Sequence, residues 1–125
     1  MSRLSYCANT EEAVYNMIKK DSINSLLEDL KGLINNYNYS YKYNEYWLNA
    51  KPFENPKGNQ QAFYNLIVND AQKTNSTIYA ETMERVKMQI SVVVKVINEK
   101  AENLDDKTKR RVLKKIDTRI SKMIK

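Results

Sequence analysis

Apolar residues recur at helical spacing along most of the chain, and this pattern predicts four to five helices. The first helix should begin near Asn9, because Asn9 and Glu12 have the spacing of a capping box, in which each side chain accepts a hydrogen bond from the backbone N–H of the other. Val14, Met17 and Ile18 then form its apolar face.

A second apolar set is rotated relative to the first and predicts a second helix. Its members are Ile23, Leu26, Leu27, Leu30, Leu33, Ile34 and Tyr37. Residues 20–22 lie where the two sets fail to match, so we expect a break or kink there, with Asp21 or Ser22 capping the second segment. The pattern alone leaves open whether the two helices are continuous.

The segment 37–47 is rich in aromatic residues and predicts no single conformation. Its rings belong to Tyr37, Tyr39, Tyr41, Tyr43, Tyr46 and Trp47. The alternation over 37–43 has the period of a strand, but one strand without a partner is not stable. An extended loop or an irregular helix is therefore an equal alternative. Pro52 and the sequence Pro56-Lys57-Gly58 indicate a connection, so 37–58 forms a Tyr-rich and Pro/Gly-containing part of the domain.

The longest helical pattern follows this connection. A short helix is predicted first, with its apolar face formed by Ala62, Phe63, Leu66, Ile67 and Ala71. A long helix over about 77–103, capped by Ser76 or Thr77, is predicted next from apolar positions close to heptad spacing. These positions are Tyr79, Met83, Val86, Ile90, Val93, Ile97, Ala101 and Leu104. At 1.5 Å per residue this helix would reach about 40 Å, so it either spans the bundle or projects towards another chain.

The chain ends in a basic amphipathic helix. Asp105 and Asp106 stand at its start, where negative charge suits the helix dipole. Its apolar positions are Val112, Leu113, Ile116, Ile120, Met123 and Ile124. With only two glycines and two prolines, the chain lacks the turn residues of β sandwiches and doubly wound folds. The predicted fold class is all-α, a small helical bundle forming a single domain over residues 1–125.

Composition argues against catalysis. The chain has no histidine, no Gly-rich phosphate loop and a single cysteine, Cys7, so the usual general bases, nucleotide loops and cysteine zinc sites are missing. Its acidic pairs are adjacent in sequence and diverge around a helix. We therefore expect no enzyme, no metal, no cofactor and no small-molecule substrate. Because Cys7 is the single cysteine, we expect a cytoplasmic protein. Because no apolar run approaches the ~20 residues that a membrane span needs, we expect no membrane-spanning helix.

The distribution of charge is more informative than its total. Residues 105–125 contain nine Lys or Arg and three Asp, which accounts for the entire net charge of +6. A helix with this composition predicts binding to the phosphate backbone of nucleic acid, DNA or RNA. The candidate contacts are Lys107, Arg110, Arg111, Lys114, Lys115, Arg119 and Lys122. Lysine predominates, which favours sequence-tolerant backbone contact over base reading.

Other interpretations of the basic helix stay open. The cations could form a solvated face that stabilises the helix dipole, and a basic amphipathic helix can also bind anionic lipid or calmodulin-like proteins.

The aromatic segment is the second candidate site. Tyr39, Tyr41, Tyr43 and Trp47 could stack on unpaired bases or form a protein-binding patch. They could also simply cap the end of the bundle.

Two functions therefore remain open from the sequence. One is a non-enzymatic nucleic-acid-contacting protein, such as a small subunit of a nucleoprotein assembly. The other is an inhibitor, regulator or assembly subunit that docks a protein, or a second copy of itself, through the aromatic segment and the long helix. Small basic helical proteins of this general type occur among phage and plasmid regulators, but that analogy assigns no residue.

Overall fold

The computed structural model describes residues 8–124, except for the side chains of residues 74–78. Over this range the chain forms α1 (Glu11–Ile18), α2 (Ile23–Asn49), α3 (Gly58–Ala101) and α4 (Asp106–Ile120), with no strand. The predicted all-α fold class is confirmed. Cys7 and Lys125 lie outside the described residues, as do the side chains of Ser76 and Thr77.

The expected break between the first two helices is present. α1 ends at Ile18, and the Ser22 hydroxyl caps α2 by accepting a hydrogen bond from the Ser25 N–H at 3.1 Å. The cap of α1 differs from the prediction by one residue. Thr10 has the extended backbone of an N-cap, and its hydroxyl oxygen accepts from the Ala13 N–H at 3.1 Å, so Asn9 and Glu12 do not form the predicted capping box.

The Tyr-rich segment is helical throughout, because α2 continues without interruption to Asn49. Residues two apart in a helix point about 200° apart, so the alternation over 37–43 produces two columns of rings at i,i+4 spacing. Tyr37 and Tyr41 form one column, with ring centroids 6.4 Å apart. Tyr39 and Tyr43 form the other, stacked at 5.5 Å. The strand and loop alternatives are therefore wrong.

α3 is a single helix of 44 residues, about 66 Å long at 1.5 Å per residue. The predicted separation into a short helix and a second helix starting near residue 77 is wrong. Between residues 59 and 101 there is no glycine or proline to stop a helix. The polar stretch 73–77 has low helix propensity, but its residues cost less than about 0.7 kcal/mol each, too little to interrupt an established helix.

The second half of α3 supplies the centre of the core. Its heptad positions Val86, Ile90, Val93, Ile97 and Ala101 are buried in this chain. They pack with buried residues of the other three helices, including Val14, Leu26, Leu30 and Ile116. This part of the seam is therefore covered by the bundle itself.

The first half of α3 extends beyond the bundle. α2 and α3 are antiparallel. The ring centroids of Tyr43 and Tyr79 lie 5.6 Å apart. The Gln72 side-chain amide donates to the carbonyls of Trp47 and Ala50 at 3.2 and 2.8 Å. Residues 58–71 therefore continue past the end of α2. We use the name arm for residues 42–79. The arm consists of the end of α2 after Tyr41, the connection between α2 and α3, and α3 up to Tyr79.

The connection folds back onto α3. The Asn65 side chain accepts from the Phe53 N–H at 2.7 Å and donates to the Phe53 carbonyl at 2.9 Å. Val68 and Ala71 are buried in the arm, separate from the main core cluster. Within the described part of the chain, no helix has both the length and the hydropathy that crossing a bilayer requires.

Candidate nucleic-acid interface and aromatic arm

α4 begins where the acidic pair predicted it would. Asp105 is the N-cap, with its carboxylate 3.4 Å from the Thr108 N–H, and Asp106 occupies the first turn. Hydrogen bonds from Thr108, with a smaller contribution from the charge of Arg111, lower the pKa of Asp105. The start of the basic helix is therefore fixed by a charged cap that favours its dipole.

The apolar side of α4 packs onto the bundle as its spacing predicted. Val112 and Ile116 are buried in the core cluster. Leu113, Ile120 and Met123 are partly buried against the same cluster. The opposite side of α4 is therefore turned to solvent, with a defined orientation.

Two sets of hydrogen bonds fix the end of α4 to α2. The Arg119 Nε–H donates to the Leu27 carbonyl at 3.1 Å, and one terminal nitrogen of its guanidinium lies 4.0 Å from a Glu28 carboxylate oxygen. Further along, the Asn38 amide donates to the Lys122 carbonyl at 2.9 Å and accepts from the Ile124 N–H at 2.9 Å. The helix is thus held at both its apolar face and its C-terminal end.

The seven candidate phosphate contacts divide into two groups. Six of them are exposed: Lys107, Arg110, Arg111, Lys114, Lys115 and Lys122. Arg119 differs because its side chain is only 23% exposed and its Nε–H is used to hold α4 against α2. Contact with nucleic acid stays a prediction for all seven, but the geometry gives Arg119 a packing role that the sequence did not indicate.

A cleft between α2 and α4 adds residues that sequence reasoning missed. It has a volume of about 200 Å³ and is lined by Lys31, Ile34 and Asn35 from α2, by Thr118 and Arg119 from α4, and by Lys122 just after α4. Lys31 and Asn35 are far from α4 in sequence, and only helix packing brings them to the basic surface. The helical position of Lys31 beside the apolar stripe of α2 was the one available signal.

The four predicted partner-binding aromatics do not form a single patch. Tyr39 and Tyr43 are exposed, and Trp47 continues their column, with its ring 6.3 Å from that of Tyr43. Tyr41 lies on the other column, partly buried against the core. Burial, with smaller contributions from Tyr43 and Tyr39, raises the pKa of Tyr79 where α3 meets the exposed column.

The arm also exposes large apolar side chains outside the predicted patch. They are Tyr46, Leu48, Phe53, Phe63, Leu66 and Ile67. Phe63 and Leu66, which the spacing placed on one apolar face of a helix, are 63% and 61% exposed. Both residues lie on the part of α3 that continues past the end of α2 at Asn49.

Comparison with protein-family models, with curated proteins and with solved structures finds no match to this chain. Among the described residues, no three Cys, Asp or Glu side chains come together in a way that could hold a metal ion.

Proposed function

We propose that the protein is a non-enzymatic, nucleic-acid-contacting protein that binds the phosphate backbone through α4. The observation that carries this proposal is the exposure of five cations on a helix whose opposite face is buried, with a sixth, Lys122, just after the helix. Because α4 is anchored by Arg119 and Asn38, these charges are presented on a fixed surface. The lone cysteine supports a cytoplasmic setting.

Backbone contact of this kind has a characteristic energetic origin. Each phosphate that a cation neutralises releases condensed counterions, so affinity falls steeply with salt. Four of the six exposed cations are lysines, point charges that lack the planar fork with which arginine reads guanine. Binding should therefore tolerate changes of sequence.

The exposed aromatic column supports a preference for single strands. Tyr39 follows Asn38, the residue that holds the end of α4, in the sequence of α2, and its ring is exposed. Unpaired bases can stack on such rings, with about 1–3 kcal/mol per base, whereas bases inside a duplex cannot.

The test is fluorescence anisotropy of labelled single- and double-stranded DNA and RNA. The wild type is compared with Lys114→Glu/Lys115→Glu and with the matched control Lys19→Glu/Lys20→Glu, an adjacent exposed pair on another part of the bundle. The α4 variant should lose binding while the control, with the same change of net charge, keeps most of it.

Three results would overturn the proposal. They are an absence of binding to all four nucleic acids, an equal loss in both double variants, and an affinity that does not change between about 50 and 200 mM salt.

A second function is supported by a different observation, the exposed apolar surface of the arm. A protein-binding module would use Tyr39, Tyr43, Phe63 and Leu66 as anchors, because large apolar side chains dominate such interfaces. Charge reversal on α4 should then leave partner binding unchanged, whereas Tyr43→Ala should weaken it. Capture of the same partner by wild type and by Lys114→Glu/Lys115→Glu, but not by Tyr43→Ala, would favour this function.

A further inference from the structure

The cleft between α2 and α4 places three cationic side chains around one small volume. Lys31 comes from α2, Arg119 from α4, and Lys122 from the turn just after α4. We propose that this cleft seats one phosphate group of a bound nucleic-acid strand, an inference that rests on the proposed function. A volume of about 200 Å³ exceeds the roughly 30 Å³ that one water occupies in the liquid, which leaves room for a phosphate with its oxygens facing the cations.

The guanidinium of Arg119 is positioned before any ligand binds. Its Nε–H is held by the Leu27 carbonyl, which leaves the terminal N–H groups to face a ligand. The Glu28 carboxylate is a weak competitor, because it lies 4.0 Å away and its side chain is 72% exposed to water. An arginine fixed in this way loses little side-chain entropy when it binds an oxyanion.

The other lining residues suit an anion. Lys31 and Lys122 form no salt bridge with any described residue, so both charges are available. The amide of Asn35 supplies N–H donors, and buried Ile34 forms an apolar wall that limits solvent screening. Thr118 lines the cleft, but its hydroxyl already donates to the Lys114 carbonyl and is not counted as a donor to the ligand.

Stabilisation of the helix dipole does not explain this arrangement. Arg119 and Lys122 do lie at the C-terminal end of α4, where cations are favourable in any helix. Lys31, however, lies within α2, more than a full turn from either end of that helix. Its presence beside the other two cations needs another reason, and a shared anionic ligand provides one.

The first experiment compares Lys31→Gln with Lys20→Gln, an exposed lysine outside the cleft, in binding to the preferred nucleic acid across a salt series. Both substitutions remove one exposed charge. Lys31→Gln should weaken binding and reduce the slope of log affinity against log salt by about one unit, the value for one lost phosphate contact. Lys20→Gln should leave the slope unchanged. Equal slopes in the two variants would overturn the cleft proposal and leave the proposed function intact.

The second experiment titrates inorganic phosphate into the ¹⁵N-labelled protein and follows the Arg119 Nε–H and Asn35 amide signals by NMR. Saturable shifts confined to these signals and their neighbours, lost in Lys31→Gln, support the cleft as a phosphate site. They would do so even if no nucleic acid bound, an outcome that would overturn the proposed function instead. Shifts of similar size at lysine-containing segments throughout the chain would overturn the cleft proposal.

Discussion

The side chain of Asn38 bonds both to the Lys122 carbonyl and to the Ile124 N–H, each at 2.9 Å. A single amide therefore satisfies one acceptor and one donor of the backbone that follows α4, after the helix itself has ended at Ile120. Among uncharged side chains only an amide offers a donor and an acceptor in this fixed arrangement. Asn38 thus holds the backbone after α4 against α2, in addition to the hydrogen bond from Arg119 to the Leu27 carbonyl.

Replacement of Asn38 should loosen this attachment. Asn38→Ala removes two hydrogen bonds of about 0.5–1.5 kcal/mol each, so we expect a loss of about 1–3 kcal/mol in unfolding free energy, measured by urea denaturation. The Ile124 amide should also exchange faster with deuterium. Asn36→Ala, at an exposed position of the same helix, should change neither quantity. Unaltered exchange at Ile124 in Asn38→Ala would contradict the assignment.

Arg119 and Arg111 of α4 should respond differently to the same substitution. Arg119→Gln breaks the hydrogen bond to the Leu27 carbonyl, and loss of a charge-assisted bond costs about 1.5–3 kcal/mol. Arg111→Gln removes the same charge from an exposed position and should change stability by less than about 0.5 kcal/mol. Thermal denaturation of both variants measures the contrast, and equal melting temperatures would argue against the packing role of Arg119.

Two isoleucines of α3 test the division between bundle and arm. Ile97 is fully buried, so Ile97→Ala should cost about 2–5 kcal/mol. Ile67 is 39% exposed on the arm, and Ile67→Ala should cost much less. Urea denaturation of Ile97→Ala and Ile67→Ala compares the same substitution at two positions of one helix. Similar losses of unfolding free energy in the two variants would mean that Ile67 is covered in the folded protein.

Stability should fall at alkaline pH in a way that depends on Tyr79. Burial, then the neighbouring Tyr43 and Tyr39, raise the pKa of Tyr79 above its ordinary value of 10.0. The unfolded chain therefore loses this proton first, and unfolding free energy should decrease as pH rises from about 10 through the higher folded-state pKa. Below pH about 10, Tyr79 makes its full contribution to the unfolding free energy. Tyr79→Phe should show a smaller decrease, measured by chemical denaturation at a series of pH values, and an identical decrease would contradict the prediction.

The exposed face of the arm should promote association without supporting the fold. Phe63→Ser and Leu66→Ser remove apolar surface that is already in water, so unfolding free energy should change by less than about 0.5 kcal/mol. Self-association at high protein concentration, measured by sedimentation velocity, should decrease. Val68→Ser, five residues from Phe63 on the same helix but buried, is the contrasting variant and should destabilise the arm. A strong loss of stability in Phe63→Ser would show that its ring is packed.

The sequence predicted those features that depend on local rules. Helical periodicity located the core faces of α1, α2 and α4. Ser22 was one of the two predicted caps of α2, and the acidic pair Asp105 and Asp106 marked the start of α4. The helical conformation of residues 37–49 could not be predicted from the sequence. An alternation with a period of two is compatible with a strand and also with two i,i+4 columns of rings on a helix. The choice between them depends on partners that lie elsewhere in the chain.

The length of α3 and the α2–α4 cleft also depend on tertiary structure. Residues 73–77 have weak helix propensity, and only continuity with a well-packed second half keeps them in one helix. Periodicity placed Phe63 and Leu66 on an apolar face, but it does not report whether anything covers that face. Lys31 joins Arg119 and Lys122 only after α4 docks, so no local pattern could have grouped them.

The continuity of α3 has a mechanical consequence. One uninterrupted helix runs from the outer end of the arm to the centre of the bundle, so the two parts share a stiff axis instead of a flexible joint. Bending that axis would require breaking consecutive backbone hydrogen bonds in the middle of a helix. A partner bound to the outer end of the arm and a nucleic-acid strand bound to α4 would consequently be held at a fixed distance and a fixed angle from each other.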